Sequence, residues 1–83
     1  MKRQKLLEEF PDSELLFAVG FDEAIIGVDF VADRVVYSIS KSLNVLMQTN
    51  ELSEDDAWEH LMYNVIGSYV GAKTPIWTYD IYD

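Results

Sequence analysis

Cysteine is absent from the 83 residues, and histidine occurs once, as His60. The first absence removes both a disulfide framework and a thiolate zinc site, and it fits a reducing compartment. Basic residues are scarce as well: six Lys and Arg stand against fifteen Asp and Glu, for a formal charge of −9. Non-specific nucleic-acid binding depends on Lys and Arg displacing counterions from phosphates, so direct contact with nucleic acid is disfavoured. Long apolar runs are missing too. No window approaches the roughly 20 apolar residues of a membrane-spanning helix. The opening MKRQKLLEEF offers only Leu6 and Leu7 before two glutamates, not the run of about 7–15 apolar residues that a secretory signal needs. The expectation is a cytoplasmic protein with no membrane partner.

Chemistry is thin on the same grounds. No serine lies in a G-x-S-x-G elbow, and one histidine leaves little choice of base. Neither G-x-G-x-x-G nor G-x-x-x-x-G-K-[ST] occurs, which excludes nucleotide binding by those loops. Asp56 and His60 stand four apart on a helix and could share an ion, but no second histidine or cysteine completes a transition-metal set. The acid groups Asp22-Glu23 and Glu54-Asp55-Asp56 suit a turn and a helix start better than general acid–base work. The chain is therefore expected to be no enzyme and to hold no cofactor or metal.

What remains is ample core material. Hydrophobic residues make up 49% of the chain and aromatics 13%, too much for a disordered segment. Residues 2–9 suit a short helix, which Phe10-Pro11 ends, and residues 1–12 form this helix and its linker. The stretch 13–19 (SELLFAV) fits a helical turn or a buried strand equally, and 20–23 reads as a turn. Ala24–Phe30 alternates as a strand, with Ile26, Val28 and Phe30 on one face, and Gly27 inside it marks a bulge or a close approach. Arg34–Tyr37 supplies an antiparallel partner. Ser38 caps a helix from Ile39 to about Thr49, striped by Ile39, Leu43, Leu46 and Met47, with Asn50 as a left-handed stop.

The stretch Ser53–Trp77 is the least generic. Ser53 caps a second helix whose first turn carries three acids, where negative charge meets the positive end of the helix dipole. Trp58, Leu61, Met62, Val65 and Tyr69 share its core face, Gly71 terminates it and Pro75 prevents continuation. Ile76–Ile81 then alternates as a strand, with Trp77 expected in the core. The sum is one α+β domain over residues 1–83: a small antiparallel three-stranded sheet packed by a helical hairpin, with a short N-terminal helix.

Asn64 and Gly67 fit this scheme least well. They lie on the face opposite the stripe, beside Tyr63 and His60, and glycine inside a helix costs about 1 kcal/mol relative to alanine. Either another segment crosses closely at Gly67, with Asn64 bonded to its backbone, or the face is a partner-binding surface. The candidate contact residues are His60, Tyr63, Asn64, Gly67, Tyr79 and Tyr82, aromatics being favoured at interfaces.

Three stretches, GFDEAIIGVDF (20–30), RVVYSISKSLNVLM (34–47) and YNVIGSYVGAKTPIW (63–77), resemble a family of small acidic proteins found in bacteriophage, plasmid and bacterial genomes, cyanobacterial phages among them. Its pattern is a GFD-x-A block, a Y-x-x-x-K segment and an acidic helix ending in NV-x-G-x-YVG-x-x-TP. Ala72 departs from it where relatives often carry glutamate. The resemblance implies a phage-type accessory protein in the host cytoplasm and brings no catalytic residues with it. The function expected is binding to a protein partner, either a host factor or a second copy of the chain. Two alternatives are an acidic mimic of nucleic acid that inhibits a host protein and a homo-oligomeric structural role. The mimic is weakened by the lack of any acid between His60 and Tyr79.

Overall fold

Caps and apolar periodicity set most of the elements in the computed structural model, which describes residues 2–67 and 71–81. The chain runs through α1 (Lys2–Glu9), a 3-10 turn (Asp22–Ala24), β1 (Ile25–Asp29), β2 (Arg34–Ser38), α2 (Ile39–Thr49), α3 (Glu54–His60) and β3 (Ile76–Thr78). A π-helical segment, Leu61–Ile66, continues α3 directly. The segment 13–19 is neither helix nor strand. Glu14 takes a positive φ of 51°, which breaks regular structure, while Leu15 is buried in the core.

β1 and β2 form the expected hairpin, with a bulge. Ile25 pairs with Tyr37 and Gly27 with Val36, so Ile26 is the extra residue. The bulge resets the face that simple alternation assigned: Ile25 is buried, Ile26 is exposed, and Phe30 lies beyond the strand at 83% exposure. The hairpin turn is braced by an acid where an Asn-Gly pair would be usual. The Asp29 carboxylate accepts the N–H groups of Val31 (3.0 Å) and Ala32 (3.2 Å), and Asp33 takes the left-handed position at φ 53°.

The sheet is mixed, which corrects the expectation of a purely antiparallel one. Its order is β1-β2-β3, and β3 runs parallel to β2 with Val36 opposite Ile76, Tyr37 opposite Trp77 and Ser38 opposite Thr78. β2 passes at once into α2, so the α2–α3 pair works as a crossover that returns the chain to the start of β2. β3 is also shorter than the expected 76–81, and Tyr79, Asp80 and Ile81 lie beyond it. α2 packs on β2 and on the 3-10 turn, and α3 packs on α2.

Tyr37 sits at the centre of the core. It has no solvent exposure, its ring stacks on Trp77 at 4.6 Å, and its hydroxyl accepts the Ala18 N–H at 2.7 Å. Trp77 also meets the Phe21 ring edge-on at 5.7 Å. Arg3 lies over the Phe17 ring at 4.7 Å and within 4.0 Å of Asp22, which ties α1 to the same side.

Ser38 is the second fixed point. Its hydroxyl accepts the Lys41 N–H at 3.1 Å as the cap of α2 and donates to the Asp80 carboxylate at 2.7 Å. Ser40 adds a hydroxyl bond to the same carboxylate at 3.0 Å. A carboxylate at a helix start is doubly favoured, by the open N–H groups and by the dipole. At the other end of α2 the left-handed residue is Glu51 at φ 54°, whereas Asn50 has φ −108°.

Two expected outcomes follow from these anchors. Ser38→Ala should cost about 1–2 kcal/mol of unfolding free energy in urea. Asp80→Ala should cost less, and the double variant should fall short of the sum because the two groups bond each other; strict additivity would mean that the contact contributes nothing. For Tyr37, burial raises the phenol above its ordinary 10.0, opposed by the Ala18 hydrogen bond, with a smaller upward push from Asp22 and a smaller downward one from Arg3. The folded state keeps a proton that the unfolded phenol releases, so this stability is complete below pH 10.0 and declines as pH rises further. Urea midpoints at about pH 9 and 11 should therefore differ less in Tyr37→Phe than in the parent chain.

Candidate functional site

The surface of α3 follows from how its two halves are wound. The Ser53 hydroxyl accepts the Asp56 N–H at 3.2 Å and starts the helix as expected. Ala57 and Leu61, four apart, are fully buried and fix the side that faces α2. From Leu61 the turns widen, and the Gly67 N–H reaches the Met62 carbonyl five residues back at 3.2 Å. At about 100° per residue an ordinary α-helix would set Trp58 and Tyr63 some 140° apart. Both side chains nonetheless line one groove.

That groove is open and holds about 430 Å³, lined by Asp55, Trp58, Glu59, Met62 and Tyr63. Its lining combines three apolar or aromatic side chains with two acids. Met62, expected in the core, is 49% exposed, and Tyr63 is 78% exposed. A second groove of about 320 Å³ meets the first at Trp58 and is lined on its other side by Ser40, Glu54, Tyr79 and Asp80. Tyr79 stacks on Trp58 at 6.5 Å with an 18° interplanar angle and remains 71% exposed.

The charge around the groove has one sign. No Lys or Arg occurs between Lys41 and Lys73, while Glu51, Glu54, Asp55, Asp56 and Glu59 all do. Among the described residues, the ion pairs are Arg3–Asp22 and Lys73–Asp33, and none reaches α3. Asp55 and Glu59 are a like-charge pair four apart, an arrangement that costs a helix about 0.2–0.5 kcal/mol. The helix dipole favours Asp55 in the first turn, but Glu59 lies past it and gains no such support.

The sequence-derived candidates divide. Tyr63 and Tyr79 lie at the two grooves that share Trp58. His60 is joined instead to Asn64, with Nδ1 and Nδ2 3.4 Å apart, so Asn64 bonds within its own helix and not to a crossing segment. Gly67 is exposed, and a Cβ built there would meet only the Met62 and Tyr63 carbonyls, at 3.2 and 3.6 Å. Among the described residues no other segment crosses at Gly67, one of the two readings open from the sequence, and its N–H closes the π turn. The described helix reaches Gly67, and Gly71 takes a positive φ of 109° in the turn that follows. Tyr82, and Tyr69 of the expected core stripe, lie outside the described residues.

Trp58, Met62, Asp55 and Glu59 were not among the candidates. Their spacing of i, i+3, i+4 and i+7 was the available signal, an exposed stripe mixing acids with large apolar groups. Further exposed apolar side chains include Phe30 and Val31 at the hairpin tip, 83% and 94% exposed, and Val19 and Ile81, 88% and 84% exposed.

Among the described residues no three of His, Asp and Glu converge as a metal site, and no helix is long and apolar enough to cross a membrane. Comparison with known protein families, curated proteins and solved structures finds no match to this chain.

The π-turn account of Gly67 has a measurable consequence. Its φ of −69° is open to any residue, but an added Cβ would lie 3.2 Å from the Met62 carbonyl that accepts the Gly67 N–H, so Gly67→Ala should cost about 1–2 kcal/mol in thermal or urea unfolding. A loss of several kcal/mol would mean that another segment packs there after all.

Proposed function

We propose that this chain is a non-catalytic protein-binding module of the phage accessory type, acting in the host cytoplasm and presenting the α3 surface to its partner. The observation that carries the reading is the groove itself. Trp58, Met62 and Tyr63 line it together, with Tyr79 stacked on Trp58, in a helix whose acids have no ion-pair partner among the described residues. Aromatic and methionine side chains lining a groove beside exposed acids suit a protein interface. Catalysis is set aside because the chain offers no nucleophile–base pair, and the resemblance to small acidic phage and bacterial proteins gives the accessory setting.

The nucleic-acid-mimic reading fits less well. The acids cluster at the start of α3 and none occurs from Leu61 to Tyr79, so they form no phosphate-like run. Pairing of two copies through this groove is also disfavoured, since a twofold axis would set the acids of the two grooves against each other.

Crosslinking from the groove tests the proposal. With a photoreactive aromatic amino acid at position 63, irradiation in the expressing host should give one discrete adduct, lost when Met62→Lys is added. The same amino acid at Gln48, an exposed position on α2, should give none. No adduct from position 63, or equal adducts from both positions, would contradict the reading, and an adduct of twice the chain mass would replace it with self-association.

A further inference from the structure

We infer that the α3 groove is selective for cations, and that its occupant is an arginine- or lysine-bearing segment of the partner protein. This rests on the protein-binding reading above and adds the chemistry of what is bound. The groove combines two elements that suit such a side chain. Trp58 and Tyr63 offer aromatic faces, the indole being the best acceptor of a cation–π contact, and Met62 offers a polarizable apolar surface for an aliphatic stem. Asp55 and Glu59, one turn apart on the same stripe, can hold the charged end between them.

The surroundings favour a cation over other ligands. Among the described residues no ion pair reaches this stripe to neutralise it; the pairs formed are Arg3–Asp22 and Lys73–Asp33. A neutral ligand covering the groove would desolvate two carboxylates without compensation, and an anionic peptide or lipid surface would be repelled. A bound guanidinium or ammonium relieves the Asp55–Glu59 repulsion instead. The second groove continues from Trp58 past Glu54 and Tyr79, so the occupant can be an extended segment with more than one contact residue.

The two tryptophans make the test internally controlled, since Trp58 lines the groove while Trp77, partly buried, is stacked on Tyr37 away from it. The full chain, 15N-labelled, is titrated with an acetylated, amidated peptide of alternating leucine and arginine, and separately with the same peptide carrying citrulline, an uncharged isostere, for arginine. The arginine peptide should shift the Trp58 indole N–H and leave that of Trp77 in place. The citrulline peptide should bind about tenfold more weakly or worse, as expected when a close charge pair is lost.

Localisation comes from matched charge removals. Asp55→Asn with Glu59→Gln should weaken arginine-peptide binding about tenfold, whereas Glu8→Gln with Glu9→Gln, exposed acids on α1, should change it less than about twofold. Equal binding of the citrulline peptide, an unmoved Trp58 indole, or equal losses from the two pairs of variants would each overturn the inference. The two levels fail separately. A position-63 adduct with no preference for arginine leaves the protein-binding reading and removes the cation selectivity. Arginine selectivity without any adduct in the host does the reverse.

Discussion

Three separate parts of the chain meet on the side chain of Tyr37, which has no exposure to solvent. Its own strand, β2, is the middle of the sheet; Trp77 of β3 stacks on its ring; and the irregular segment before β1 gives its hydroxyl the Ala18 N–H. A buried phenol without that donor would carry a desolvation cost of about 1–3 kcal/mol. The stack fixes β3 beside β2 at a single register, because a three-residue strand has too few ladder bonds to choose one alone. Tyr79 and Asp80 are placed by this choice.

The site inherits that placement. Three residues past Trp77, Asp80 reaches the start of α2 and bonds Ser38 and Ser40, and between them Tyr79 is laid against Trp58. The stack on Tyr79 restrains the indole on one side while it still lines the groove, with less rotamer freedom to lose when a partner binds. Trp58 and Trp77 thus divide the work: one lines the groove and the other packs on Tyr37. The acids of α3 need no such support. They stay in water, and the free energy of leaving them unpaired is small until a ligand covers them.

Features with a side-chain-specific mechanism were legible in the sequence. Ser38 and Ser53 cap the helices they were expected to cap, and Gly27 sits beside the bulge it signalled. The direction of β3 was not legible, because alternation over Ile76–Thr78 is identical for parallel and antiparallel pairing. The π segment was hidden for a similar reason: α- and π-helices need the same residue types, and one shifted hydrogen bond separates them. Of the expected core stripe, Trp58 and Val65 pack against the core as expected, whereas Met62 is 49% exposed. Tyr63 and Tyr79, singled out as aromatics, line the two grooves, whereas His60, Asn64 and Gly67 were singled out by an irregularity that belongs to the helix itself.

The central claim is that the apolar surface of α3, and not the hairpin tip, is where this protein meets its partner. Hydroxyl-radical footprinting compares the two directly, since Trp58, Met62, Tyr63 and Phe30 are all oxidisable and at least partly exposed. Labelling of the purified chain against the same chain inside its host should show protection at Trp58, Met62 and Tyr63, with Phe30 labelled equally in both. Protection of Phe30 with the α3 residues unchanged would contradict the account.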